Sequence, residues 1–348
     1  MSPPGRFRAR PMRAFAILAI GVLVFGASVW GALALWHQAS PSWRWPLLLA
    51  WSLLGAAVLA APWLRLRRPL YATGGIALLG LLAWWTTLQP SHHRIWADDV
   101  ARLLEAEVDG NAVVLRNVRN FDWRSEDDYA ARWETRTYDL DQIASADLFL
   151  SYWMGPDIAH TLVSFGFDDG RHIVFSLEIR KERGERFSAI GGFFRQFEQV
   201  LVAADERDII RTRSNARGED VYLYRLQIGR DDLRRLFLGY LHDAEALRGE
   251  PQFYNTLTSN CTTIVYDLAR RIAPGLPLDY RLLLSGHFAE YVHDLGGLAE
   301  GYEYAQLQSL GYINARALAA DADGEDFAEA IRRGIPGIPS SLDTSTGD

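Results

Sequence analysis

Cys261, His160 and Glu178 are the residues whose types and spacing point to chemistry, and the chemistry is that of an activated thiol. Cys261 is the sole cysteine of the 348-residue chain. It opens a run to Ile272 whose apolar spacing predicts a helix, stopped by Pro274 and Gly275. Unpaired N–H groups and the positive end of the macrodipole in a first helical turn favour thiolate over thiol, which suits a nucleophile. A packed, inert thiol is the other reading of that position, since free cysteine is among the most buried residue types. The second observation is a hairpin: His160–Phe167 and His172–Ile179 alternate as strands do, around Asp168-Asp169-Gly170. A three-residue loop with Gly170 left-handed pairs Phe167 with Arg171, and counting back sets His160 opposite Glu178. Opposed residues have Cβ atoms about 4.5 to 5.5 Å apart, near enough for a carboxylate to hold an imidazole in one tautomer. A two-residue Asp169-Gly170 turn would leave the pair only diagonal, and a His–Glu pair at a sheet end can also be merely solvated.

The three-residue register sorts the hairpin's faces. Val163, Phe165, Phe167, Ile173, Phe175, Leu177 and Ile179 form a core face. His160, Leu162, Ser164, Gly166, His172, Val174, Ser176 and Glu178 share the other, whose small residues are expected to admit the Cys261 helix. Asn260 has an N-cap side chain, with assistance to an oxyanion hole as its alternative role. Arg180 and Arg183, with Lys181 and Arg186, follow Glu178 and suit a phosphate headgroup, although a solvated basic loop accounts for most of them. Arg211 and Arg213 are explained equally well by pairing within the Asp205–Asp208 run. Tyr152, Trp153 and Tyr254 flank these segments as groove walls or as core. His287 and His293, six apart on an expected helix, fall on different faces, and no zinc-protease pattern or Gly-rich phosphate loop occurs. No metal and no cofactor are expected.

The elements that must position these residues read as an α+β domain. Ile95–Glu107 has helical spacing, Val113–Val118 is a strand, and Phe121–Leu140 is stranded or irregular. Further strands are expected at Val200–Ala203 and Val221–Ile228, with helices at Asp231–Leu247 and Ser285–Leu295. Before residue 90 the chain changes character. Residues 14–36, 46–64 and 71–89 are nearly free of charge, each approaching the roughly 20 apolar residues that span a bilayer. A signal peptide is the rival reading of the first, but its apolar run is too long and two more follow. Arg6, Arg8, Arg10 and Arg13, with Arg65, Arg67 and Arg68, set the cytoplasmic side. Residues 90–334 are then expected outside the cytoplasm, as the periplasmic domain of an inner-membrane protein if the host is a Gram-negative bacterium, and 335–348, rich in Pro, Ser, Thr and Gly, read as a tail without fixed structure. The formal net charge is -7 and every acidic residue lies beyond residue 90, so the outer domain is acidic, which argues against a nucleic-acid partner.

The segments IAHTLVSFGFDDGRHIVFSLEIR, ERDIIRTRSN, VYLYRL and FYNTLTSNCTTIVYDLARRI resemble the Lnb N-terminal periplasmic domain family. The resemblance implies a permuted papain-like thiol-enzyme domain: an antiparallel sheet with a packed Cys helix, the His strand preceding it. It implies Cys261 as nucleophile, His160 as base and acid, Glu178 as orienting group, and acyl transfer to an amine such as a lipoprotein N-terminus. In the family's named member the membrane helices follow the domain and here they precede it, which leaves the substrate more open than the chemistry. The membrane anchor favours a phospholipid as acyl donor. Two rivals stand beside this expectation: a thiol amidase or peptidase on envelope peptides, and a non-catalytic module binding lipid or envelope protein.

Overall fold

The uncharged N-terminal stretches form three helices, Ala9–Gln38, Pro41–Ala60 and Arg67–Thr87. Ile17–Gln38, Pro41–Trp63, which adds the helical turn Ala61–Trp63, and Arg67–Thr87 are long and apolar enough to cross a membrane. These bounds start earlier than hydropathy alone suggests for the second and third helices, because Trp43, Arg44 and Trp45, and Arg67 and Arg68, continue the helical backbone, and such side chains are at home at headgroup level. The first two helices touch closely: the Trp51 indole N–H donates to the Ser28 carbonyl at 2.8 Å, and a Cβ on Gly31 would collide with the Trp51 ring.

The computed structural model describes residues 9–339, and these fall into two compact units. Arg6, Arg8 and the tail from residue 340 lie outside the described residues. The unit of the three apolar helices includes Ser188–Gln196, a segment that sequence reasoning assigns to the outer domain. Within that unit the Gln38 amide donates to the carbonyls of Phe194 and Arg195, each at 2.8 Å, and the Arg195 guanidinium donates to the Trp85 carbonyl at 2.9 Å.

The second unit is built on an eight-stranded sheet: β1 (Glu105–Asp109), β2 (Ala112–Arg119), β3 (Trp133–Asp139), β4 (Ile143–Tyr152), β5 (Ala159–Phe167), β6 (His172–Arg180), β7 (Glu198–Ala204) and β8 (Asp220–Arg225). The order is β1-β2-β7-β6-β5-β4-β8, with β3 also on β2, and only the β2–β7 contact is parallel. The β5–β6 turn is the three-residue form. Phe167 N–H donates to the Arg171 carbonyl at 3.0 Å, Gly170 N–H to the Phe167 carbonyl at 2.9 Å, and Gly170 has φ +83°, which only glycine adopts without cost. Pairing runs from Gly166↔His172 to Val163↔Phe175. Toward His160 no further β5–β6 pairs form, while β5 stays paired with β4 as far as Ala159 and β6 with β7 as far as Arg180.

Both faces of the sheet are covered. Val163, Phe165, Phe167, Ile173, Phe175 and Leu177 pack with Phe237 and Tyr240 of the helix Arg230–Gly249 and with Val265, Tyr266 and Leu268 of the helix Cys261–Ile272. Leu162, Val174, Val200 and Val202 pack beneath Ile209, Ile210, Ala317 and Ile331. Each such buried side chain contributes about 1.5–3 kcal/mol. The expectation that the Cys261 helix lies on the Ser164/Gly166 face is therefore corrected, since it covers the opposite, aromatic face. Ser164 instead donates to Glu206 at 2.5 Å, and Gly166 leaves room for the His172 ring.

Two other expectations change. Ile95–Glu107 is not a helix: only Asp98–Val100 makes a turn, because Trp96 bridges Glu182 and Ala97 N–H bonds the Lys181 carbonyl, committing the backbone to the end of β6. Ile335, placed by composition at the start of a structureless tail, is buried, and Ile338 packs against the same cluster.

Candidate functional site

Asn260 sets the start of the Cys261 helix. Its side-chain oxygen accepts the N–H groups of Thr262 at 2.9 Å and Thr263 at 3.0 Å, while Thr263 Oγ1 accepts the Asn260 N–H at 2.8 Å, a complete capping box. Its amide nitrogen donates to the Thr256 carbonyl at 2.8 Å. Asn260 is thus the cap, and the oxyanion role considered for it is not supported by where its amide points. The loop before it is pinned by Gln199, whose amide donates to the Phe253 carbonyl at 3.0 Å and to Ser259 Oγ. The Thr161 and Thr262 hydroxyls join β5 to the helix start at 2.9 Å.

This docking brings Cys261 to His160 where β5 and β6 cease to pair. Both are nearly buried, at 6% and 8% exposure. The His160 Nε2 lies 2.7 Å from Ser176 Oγ and 3.1 Å from Glu178 Oε1. Because Ser176 donates its own proton to Glu178 Oε1 at 2.8 Å, its oxygen is left to accept from His160. Nε2 therefore carries a hydrogen, and Nδ1 is the nitrogen left for the thiol. Arg213 Nη2 reaches the same Glu178 oxygen at 2.8 Å, while its Nη1 stands 3.5 Å from Glu219. Ser176 escaped sequence reasoning, although it lies two residues from Glu178 on the same face. For Arg213 the sequence leaves pairing within the Asp205–Asp208 run as an equal explanation, since nothing local reveals a partner 35 residues away.

The electrostatics follow from this packing. Burial, the largest influence on each group, disfavours charge on all three. Against it, the imidazolium, its hydrogen bond and the Thr161 N–H bring the Cys261 thiol below its ordinary value. Burial and Arg213 push His160 down, yet Glu178 and Cys261 outweigh them and raise it to about 9. Glu178, against its burial, is held well below the carboxylate range by His160 and Arg213. The arrangement favours a thiolate–imidazolium pair braced by a carboxylate.

The site opens into a cavity of about 900 Å³. Its wall is strongly charged and of both signs, including Asp98, Asp99, Glu126, Lys181, Arg183 and Arg217. Trp153 and Phe187, in edge-to-face contact at 5.9 Å, form an exposed aromatic part of the lining. Arg183 lines the cavity and pairs with Asp98 at 3.0 Å. Arg180, the other headgroup candidate, does not: it is buried, donates to the carbonyls of Val100 and Ala101 at 3.1 and 2.8 Å, and stacks over Trp96. Tyr254 lines the cavity, whereas Arg211 bonds Asp321 and the Trp123 carbonyl. His287 pairs with Asp157 and His293 reaches the Tyr302 carbonyl. Among the described residues no three metal-ligating side chains cluster.

These features define an α+β domain in which a strand pair presents His and Glu to a single Cys at a helix N-terminus, joined in sequence to three apolar helices. Residues 129–286 match the Lnb N-terminal periplasmic domain family, and that stretch contains His160, Glu178 and Cys261. Through this segment, a little under half of its length, the chain is similar to that family. Comparison with curated proteins and with solved structures gave no match.

Proposed function

We propose that the protein is a membrane-anchored cysteine acyltransferase of the inner membrane, its domain in the periplasm, which moves an acyl group from a phospholipid ester through a Cys261 thioester to an amine such as a lipoprotein N-terminus. The observation that carries this reading is His160 held between Glu178 and Cys261 in the wall of a large cavity. His160 Nδ1 takes the thiol proton, and the thiolate adds to the ester carbonyl. The tetrahedral oxyanion collapses, breaking the C–O bond, and the imidazolium gives its proton to the departing alkoxide. An amine then attacks the thioester, the C–S bond breaks, and the amine's proton returns through His160 to the thiolate. Glu178 and Ser176 keep the imidazole in one tautomer throughout. The order of His strand before Cys helix supports the permuted papain-like reading, and the three apolar helices support a lipid donor.

The charged cavity wall favours a second reading, a thiol amidase acting on envelope peptides. Intact-mass analysis of the full-length protein purified from membranes, beside Cys261→Ala and with neutral hydroxylamine, separates them. A fatty-acyl adduct on the wild type, removed by hydroxylamine and absent from the variant, is expected. No adduct after incubation with phospholipid vesicles, from a thiol that alkylates rapidly, sinks lipid transfer and promotes the amidase. A thiol no faster toward iodoacetamide than free cysteine sinks both and leaves a binding module.

A further inference from the structure

The reaction proposed above develops negative charge on a carbonyl oxygen, and the donors able to meet it can be counted. The helix start offers fewer than its geometry suggests. Asn260 already consumes the N–H groups of Thr262 and Thr263, and its own amide is turned to Thr256. The Cys261 N–H is left, with no partner among the described residues. One donor makes half of an oxyanion hole.

Tyr254 is a further unspent donor in the cavity wall and, unlike the Arg213 Nε that is also unpartnered there, a neutral one. Its ring is 8% exposed, its N–H is fixed to the Phe197 carbonyl at 2.9 Å, and its hydroxyl has no hydrogen-bond partner among the described residues. It lines the cavity with Cys261 and feels the charges of Cys261 and Glu178. A phenol so placed, buried and facing negative charge, keeps its proton and is a neutral donor. We propose that the Tyr254 hydroxyl and the Cys261 backbone N–H together form the oxyanion hole, with Tyr254 as a catalytic residue that touches the reacting carbonyl oxygen. This rests on the thioester reading above and deepens it.

The test uses full-length protein in detergent, p-nitrophenyl octanoate as acyl donor, and Tyr254→Phe, which keeps the ring. Two rates are compared: the burst of p-nitrophenolate, which passes through an oxyanion, and alkylation by iodoacetamide, which does not. Tyr254→Phe is expected to slow the burst about 10²- to 10³-fold while alkylation and its pH profile stay within about twofold of wild type. A burst slowed less than about threefold overturns the proposal and leaves the thioester reading intact. A joint fall of burst and alkylation also overturns it, since the hydroxyl would then serve the thiolate or the packing. A wild-type burst no greater than that of Cys261→Ala removes the thioester reading, and the proposal with it.

Discussion

One oxygen of Glu178 receives three donors, from His160, Ser176 and Arg213, so its charge is the hinge of the site's protonation. Loss of that charge should act on the histidine first. His160 is raised to about 9 against a usual value of 6.5, chiefly because Glu178 and Cys261 overcome burial and Arg213. In Glu178→Gln, the limb of the iodoacetamide pH profile that marks His160 deprotonation is expected to move from about 9 toward or below 6.5, and the p-nitrophenyl ester burst to fall about 10²-fold. A limb that stays near 9 would mean that Glu178 does not govern the imidazole. The stability linkage has a definite sign. A raised histidine value stabilises fully below its unfolded 6.5 and is lost as pH rises through about 9. A depressed carboxyl stabilises above its unfolded 4.5 and is lost as pH falls through its lower folded value. Wild-type melting temperature should therefore hold a plateau between these limits that Glu178→Gln lowers.

Two short elements bring the triad together, and each can be broken without touching it. Gly170 closes the β5–β6 turn with φ +83°, and a β-branched residue there costs about 1–2 kcal/mol. Gly170→Val should lower the melting temperature and weaken Cys261 alkylation, whereas Gly170→Asn, which tolerates the left-handed region better, should do both much less. Asn260→Ala removes the cap and should cost about 1 kcal/mol, with slower alkylation because the first turn no longer holds Cys261 in place. Asn260→Asp keeps the acceptor but loses the donor to the Thr256 carbonyl, and should recover only part of the melting temperature. At this scale much was legible in the sequence. The Asp168-Asp169-Gly170 chemistry places the turn, and of the two registers it allows the three-residue form is adopted, with His160 and Glu178 in contact at 3.1 Å. The face chosen by the Cys261 helix was not legible: both hairpin faces carry apolar residues, and which face a helix covers depends on partners such as Phe237 and Tyr240, remote in sequence. The segment around Ile95 was misread for a related reason, since helical spacing says nothing of a β6 edge ready to bind its backbone.

At the scale of the molecule, what the sequence concealed lies in contacts between distant segments. Ser188–Gln196 belongs with the apolar helices through ties to Gln38 and Trp85, although its composition resembles an ordinary loop. Arg332 is the sharper case. From the last described helix, Phe327–Arg332, it reaches into the sheet, bonding Asp147 at 2.8 Å and Glu206 at 2.6 Å, with all three residues buried. Nothing near residue 332 signals this. Removing one member of a buried ion network leaves an uncompensated charge and costs about 3–5 kcal/mol, so Arg332→Met should unfold the intact protein in detergent at a markedly lower temperature at neutral pH. Asp147 keeps Arg225 at 2.5 Å, which makes Glu206 the stranded group. Arg332, against the opposing effect of burial, helps hold Glu206 at about 2. Its contribution is present above the unfolded 4.5 and lost as pH falls toward about 2. Without Arg332, burial pushes the Glu206 carboxyl upward and protonation relieves it in mild acid. The melting deficit of Arg332→Met should accordingly shrink between pH 7.5 and pH 4, and Arg332→Met with Glu206→Gln should recover part of the neutral-pH loss. A deficit independent of pH, unrelieved in the double variant, would assign the role of Arg332 to the packing of its stem instead of to its charge.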